Sequence, residues 1–119
     1  MQKQRGMIRS DDMQKLRENR ARQAPVQGTR NELDLEPVIR LYVPFTALSW
    51  LLTEVDDEGY AFGLCDLGQG FPELGSVYLP ELEEINIKGL TVLQDLDFKP
   101  RTTISEYARE ASANQQITL

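Results

Sequence analysis

The sequence contains no histidine and a single cysteine, Cys65. The first absence excludes His-based general acid–base catalysis, Ser-His-Asp and Cys-His nucleophilic sites, and ordinary His-ligated zinc. The second excludes an internal disulfide, which fits a reducing, cytoplasmic compartment. Long apolar runs are missing as well. The most apolar stretch lies within positions 41–52 and is broken by Pro44, Thr46 and Ser49. It falls short of the roughly 20 residues that a membrane span needs. The opening Met1-Gln-Lys-Gln-Arg-Gly6 has charge but no apolar core behind it, so no secretory signal is expected there.

What is present suits one small domain. The chain has 119 residues, 40% hydrophobic and 27% charged, enough for one core with some polar tail. Charge is unevenly placed. Residues 1–30 carry 8 Lys/Arg against 3 Asp/Glu, and residues 31–119 carry 5 against 16. A basic arm of net +5 thus precedes an acidic body of net −11. Such a body is a poor match for a phosphate backbone, so nucleic acid is expected to meet at most the arm.

Residues 1–9 read as a frayed end. Ser10 ahead of Asp11 and Asp12 reads as an N-cap, and a helix is predicted from Asp11 to Arg22. Residues 23–36 are polar and unperiodic and read as a linker or mobile loop. Strands are predicted at Val38–Val43, Ser49–Val55, Tyr60–Leu67 and Glu73–Leu79, with turn chemistry at Asp56-Asp-Glu-Gly59. Pro80 opens a short helix. Leu90–Phe98 reads as a fifth, irregular strand. Thr103 and Glu106 fit a capping box, which predicts a helix from Ile104 to Ala113.

The expected fold class is therefore α+β: an antiparallel four- to five-stranded sheet with N-terminal and C-terminal helices packed on it. The expected organisation is a basic helix plus flexible linker over residues 1–36, a core over 37–113 and a loose tail over 114–119.

Turn positions suggest a register. It sets Val55 against Tyr60, Thr53 against Phe62, Leu52 against Gly63 and Trp50 against Cys65. On the next pair it sets Leu67 against Glu73, Cys65 against Gly75, Gly63 against Val77 and Phe62 against Tyr78. One face then carries Trp50, Leu52, Gly63, Cys65, Gly75 and Val77. The other carries Leu51, Val55, Tyr60, Phe62, Leu64 and Tyr78. Both faces are apolar, so both are expected to be covered, by the terminal helices on one side and a further element or partner on the other. Gly63 and Gly75 suggest a groove where another backbone approaches closely.

A series of short motifs carries a resemblance. Trp50-Leu-Leu-Thr-Glu54, Ala61-Phe-Gly-Leu-Cys-Asp-Leu-Gly68, Phe71-Pro-Glu-Leu-Gly75, Leu79 with Glu81-Leu82, Gly89-Leu90, Asp95-Leu96 and Phe98 follow in that order. With Leu16-Arg-Glu-Asn-Arg-Ala-Arg-Gln23 at the front, the chain resembles domain-of-unknown-function family 2958. Val43-Pro-Phe-Thr-Ala-Leu-Ser49 departs from that family's more usual Phe-Thr-Pro turn. The resemblance implies a small bacterial protein linked to plasmids or other mobile elements, and brings no catalytic residue.

Few residues could carry chemistry. Cys65 has apolar or acidic neighbours, which disfavour the thiolate, and reads as a buried strand residue. Asp56-Asp57-Glu58 lacks the spacing of a calcium loop and reads as a hairpin tip. Glu54 and Asp66 lie near each other across the expected strand pair, with Glu73 on the next strand. They are the only candidates for carboxylate chemistry, which requires one of them to be buried. Trp50, Tyr60, Phe62 and Tyr78 could stack bases, but the acids around them favour core packing. Gly68, Gln69, Gly70, Phe71, Pro72 and Glu73 fail as a phosphate loop, because a strand follows and no Lys-Ser/Thr does. They read either as a tight crossover with Phe71 tucked in or as an exposed recognition loop.

The expected function is a non-enzymatic protein-interaction module, its partner a second copy or another protein. The alternative is an acidic accessory protein that opposes host defence by mimicking DNA. A small carboxylate-dependent hydrolase is the third reading. No catalytic, cofactor or metal residue is assigned.

Overall fold

The computed structural model describes residues 7–119; the frayed end expected over residues 1–9 lies, for residues 1–6, outside them. The elements in chain order are α1 Ser10–Gln23, β1 Ile39–Tyr42, β2 Leu48–Val55, β3 Tyr60–Leu67, β4 Glu73–Tyr78, α2 Leu79–Glu83, β5 Leu93–Gln94 and α3 Ile104–Asn114. The strands form one antiparallel sheet in the order β4-β3-β2-β1-β5. This is the expected α+β fold. The irregular fifth strand shrinks to two residues, paired with Leu41 and Tyr42 of β1.

The terminal helices lie on opposite faces of the sheet, not on the same one. Leu16 of α1 and Leu79 and Leu82 of α2 pack with Ile39, Leu41, Val43, Trp50, Leu52, Val55, Ala61 and Val92. Ile104, Tyr107 and Ala111 of α3 pack with Leu51 and Leu64 on the other side. No outside element is needed to cover the second face at that point. The one buried stripe of α1, Leu16, Asn19 and Gln23, keeps helical spacing, but two of its three members are polar.

All three predicted helices form, but neither terminal one is capped as its sequence suggests. Ser10 is already helical, and Arg9 holds the N-cap position of α1 with no side-chain bond. Gln94 takes over: its side-chain oxygen accepts the Arg9 N–H at 2.9 Å, and its amide donates to Asp12 at 2.7 Å. Thr103 precedes α3 but also makes no side-chain cap. Asp34 supplies one from the α1–β1 loop, accepting the Ser105 N–H at 3.1 Å and the Ser105 hydroxyl. The stretch read as a linker makes further fixed contacts. The buried Gln23 amide bonds both the C=O and the N–H of Leu33, each at 2.8 Å. The Leu35 carbonyl accepts the Ile104 N–H at 2.8 Å.

The register of β2 and β3 has Trp50 opposite Cys65 and Leu52 opposite Gly63, as expected. It then shifts at Thr53, and Glu54 faces Phe62 and Val55 faces Ala61. The extra residue turns Val55 to the α1 face. Between β3 and β4 the pairing is two residues from expectation: Cys65 faces Glu73, Gly63 faces Gly75 and Tyr60 faces Tyr78. An even slip leaves every side chain on its expected face.

Candidate interaction edge and cleft

The three candidate carboxylates do not converge. Asp66 pairs with Ser49 and Glu54 with Phe62, so Glu54 and Asp66 stand about 16 Å apart along the strands. Glu73 faces Cys65, one residue from Asp66 but on the other face. Two of the three are tied into the fold. Asp66 is buried, and its oxygens accept the N–H of Gly68 at 2.9 Å and of Ile117 at 3.0 Å. It thereby ties the C-terminal segment to β3. Glu54 is buried and accepts from Arg20 Nη1 at 2.6 Å, with the Thr53 hydroxyl at 3.4 Å from its other oxygen.

The other candidates also have structural partners. Asp56 Oδ1 accepts the N–H of Glu58 and of Tyr60, both at 2.9 Å, which closes the hairpin turn. Among the described residues no group of three His, Cys, Asp or Glu side chains is placed to hold a metal ion. Burial, with the Glu73 carboxylate beside it, pushes the Cys65 thiol up to about 11. The thiol therefore stays protonated at neutral pH.

The Gly68–Glu73 loop is exposed. Gly68 and Gly70 take positive φ, +77° and +86°. Phe71 is not tucked in: it is 76% exposed, with Leu67 at 54% and Leu74 at 44%. The loop shares its end of the sheet with the β1–β2 connection, where Phe45 is 97% exposed. That connection holds through Val43: its carbonyl accepts from the Thr46 N–H at 3.3 Å and the Thr46 hydroxyl at 2.8 Å.

The loop leads into β4, which ends the sheet. The phase of its hydrogen bonds follows from one contact. The Leu79 N–H donates to the Gly59 carbonyl just beyond the Tyr60–Tyr78 pair. That makes Tyr60–Tyr78 a wide pair, so alternate pairs carry the ladder bonds. Glu73, Gly75 and Val77 therefore bond inward to β3. Leu74 and Ser76 turn their N–H and C=O outward and Tyr78 its N–H, with no partner outside the strand pairing among the described residues. The Tyr78 carbonyl, at the N-cap of α2, is taken by that helix's first turn.

The side chains of Leu74, Ser76 and Tyr78 share the α3 face with Phe62 and Tyr60. Helix α3 covers only part of that face. Beyond it lies a cleft of about 300 Å³ lined by Ser76, Phe62, Tyr60, Glu54, Asp56 and Glu32. Arg20, Gln23 and Gln27 close its far wall. An adjoining hollow runs past Phe62 to Leu74, Ile104 and Ser105.

The wall is built where β1 stops short of β2. Pairing ends at Ile39–Leu52, and Val38 N–H still reaches the Leu52 carbonyl at 2.8 Å. The next carbonyl, Thr53, accepts from Asn19 of α1 at 2.9 Å. The α1–β1 loop crosses from one face of the sheet to the other through this gap. A backbone that loses its neighbouring strand needs polar partners, which accounts for the buried Asn19, Gln23, Thr53 and Glu54.

Sequence reading singled out the Gly68–Glu73 loop, weighed Phe62 as a base-stacking or core aromatic, and missed Ser76 and Glu32. The alternation Leu74, Ser76, Tyr78 was visible, but nothing in a sequence says which strand ends a sheet.

No curated protein and no solved structure matches the chain. No helix among the described residues is long and apolar enough to cross a membrane. A family model described as a protein of unknown function, DUF2958, matches residues 7–118. That span takes in α1, the α1–β1 loop, every strand of the sheet and α3, so the chain belongs to the DUF2958 family.

Proposed function

We propose that the protein is a non-enzymatic protein-interaction module that engages its partner along β4 and the Gly68–Glu73 loop. One observation carries this reading: among the described residues β4 is an unpartnered sheet edge, flanked by exposed Leu67, Phe71 and Leu74. An edge strand with free N–H and C=O groups is a template for another chain. Natural edges are blunted by lysines, bulges or central prolines, and Glu73–Tyr78 contains none of these. Adjacent exposed apolar side chains mark an interaction surface rather than scattered surface residues. Separation of the candidate carboxylates weighs against the hydrolase reading. The setting is that of the family resemblance, a bacterial cytoplasm and a plasmid or other mobile element.

The test uses Leu74→Ser and Phe71→Ser, which alter exposed side chains and leave the fold intact. Sedimentation is followed across concentration, alone and with retained host proteins. The reading expects a concentration-dependent species or a retained partner that both variants weaken at least about tenfold. A strict monomer with nothing retained, or a complex indifferent to both variants, overturns it.

A second reading rests on a different corner. The Leu79–Gly59 bond brings the hairpin tip, Asp56, Asp57 and Glu58, against the start of α2 with Glu81, Glu83 and Glu84. An acidic mimic of DNA would present this corner to a basic DNA-binding protein. It requires the intact protein to compete with duplex DNA, and loses support if replacing Asp57, Glu58, Glu81 and Glu83 by amides leaves competition unchanged.

A further inference from the structure

The β4 edge and the acidic cleft are neighbours, and this places a chemical demand on whatever pairs with the edge. Resting on the interaction-module reading, we propose that the occupant of β4 is an extended basic–apolar segment of another protein. It adds as a sixth strand and lays a lysine or arginine side chain over Ser76 into the cleft beside Glu32 and Asp56.

The geometry follows from the hydrogen-bond phase. Leu74 and Ser76 turn both backbone groups outward and Tyr78 its N–H, its carbonyl being held by the first turn of α2, and all three side chains lie on the α3 face. Residues of an added strand that lie opposite these three point onto the same face. Ser76 is the gap in that row. On one side Leu74 stands 44% exposed; on the other Tyr78 is held by Tyr60, ring centroids 4.7 Å apart. A side chain opposite Ser76 therefore passes over a small residue and meets Phe62 at the cleft floor. A long aliphatic stem suits Phe62, and a charged head suits the acids beyond it.

Charge selects the cation. Among the described residues Arg20 is the only basic one lining the cleft, and Glu54 already holds it at 2.6 Å. Arg20 also donates to Gln27 at 2.6 Å. Among the described residues Glu32 and Asp56 accept only backbone N–H groups, from Gly28 and from Glu58 and Tyr60, and no described cation pairs with either. Glu73 and Glu81 flank the two ends of the strand. A second copy of this chain would bring its own net −6 to that edge, and an acidic segment would be repelled outright. On the other face of the edge, Gly75 has open space above it and Val77 is half-buried. The alternate positions of the added strand are therefore apolar.

The test uses the intact protein and labelled peptides of about ten residues, read by fluorescence anisotropy. Alternating Val–Lys is the probe. Alternating Val–Glu, and a Val–Lys peptide N-methylated at every second residue, are the controls. Val–Lys is expected to bind at least about tenfold more tightly than either control and to weaken with salt. Ser76→Pro deletes an outward donor that no bond of the folded sheet uses, so it should fold and lose the peptide. Ser76→Arg fills the cleft with the protein's own cation and is the second variant, independent of any proline effect. Glu32→Gln should weaken Val–Lys by about threefold and leave Val–Glu unchanged.

Equal binding of Val–Lys and Val–Glu overturns the proposal, as does indifference to both Ser76 variants. If no peptide binds while Leu74→Ser still abolishes a complex of the whole protein, the strand proposal falls and the interaction-module reading stands. If that complex is also absent, both fall.

Discussion

The two faces of the sheet are closed by different means. On the α1 and α2 side the cluster is continuous and apolar, from Leu16 through Trp50 to Leu82. On the α3 side it is smaller, built around Leu51, Leu64 and Tyr107. Past Phe62 apolar closure stops. There the chain is held by hydrogen bonds, from Asn19 to Thr53, between Gln23 and Leu33, and from Arg20 to Glu54. The first face interlocks its side chains under α1 and α2 and is hollow at its margin, where Cys65, Leu67, Gln69, Phe71 and Glu73 line about 280 Å³. The second keeps an accessible cleft because polar bonds fix backbone without filling space. In this fold the cleft opens where hydrophobic closure ends and the free edge begins.

The largest test of that contrast compares two glycines that face each other across β3 and β4. A Cβ on Gly63 would overlap the Leu51 carbonyl oxygen and lie 2.8 Å from Leu52 Cα. Backbone cannot yield as a flexible side chain can, so Gly63→Ala should cost more than about 3 kcal/mol or prevent folding. A Cβ on Gly75 meets nothing within 4 Å. Gly75→Ala should stay within about 0.5 kcal/mol of the parent, or gain slightly from the stiffer unfolded chain. Urea unfolding of both variants decides this. Equal effects would mean that β2 and β3 are no closer than an ordinary strand pair.

The next test breaks the polar seam. Arg20→Ala leaves the buried Glu54 carboxylate with only the Thr53 hydroxyl nearby, and should cost about 3 kcal/mol. Adding Glu54→Gln removes the stranded charge and should restore more than half of that loss. A cost below about 1 kcal/mol, with no rescue, would make the pair an ordinary solvated one.

The sheet was largely legible in the sequence. β-Branched and aromatic runs between turn residues locate β1 to β4, and acids ahead of basic residues locate α1. Register was harder for local reasons. The hairpin turn is one residue longer than the Val55–Tyr60 pairing assumed, and the bulge at Thr53 takes that residue back. Trp50–Cys65 therefore comes out right while Val55 lands on the wrong face. A bulge leaves no mark in Leu-Leu-Thr-Glu. The longer Gly68–Pro72 loop hid the two-residue slip of β4 in the same way. The caps failed for the opposite reason, distance. Ser10 and Thr103 are sound local candidates, yet Gln94 and Asp34 take the work from far along the chain. Polar pairing over such separations has no periodicity to betray it, and the same holds for the Arg20–Glu54 pair in the wall of the cleft beside β4.

The Asp34 cap is the mildest test, and the one that joins the two faces, because it fastens the crossing loop to α3. Burial alone would raise the Asp34 carboxyl, but bonds from the Ser105 hydroxyl, the Ser105 N–H and the Thr103 hydroxyl outweigh it and hold it below the usual value. A carboxyl depressed in the folded state adds stability above its unfolded value, and that contribution is lost as pH falls through the folded value. Asp34→Ala should therefore cost about 1 kcal/mol at pH 7, the ordinary worth of an N-cap. The cost should hold down to the ordinary carboxyl value of 3.8 and shrink below it as Asp34 in the parent protonates. Asp34→Asn keeps an acceptor for the Ser105 N–H and should lose less at neutral pH. Urea midpoints at neutral and strongly acidic pH measure the difference. A gap that is the same at both would mean that Asp34 acts through packing of the loop rather than through its charge at the end of α3.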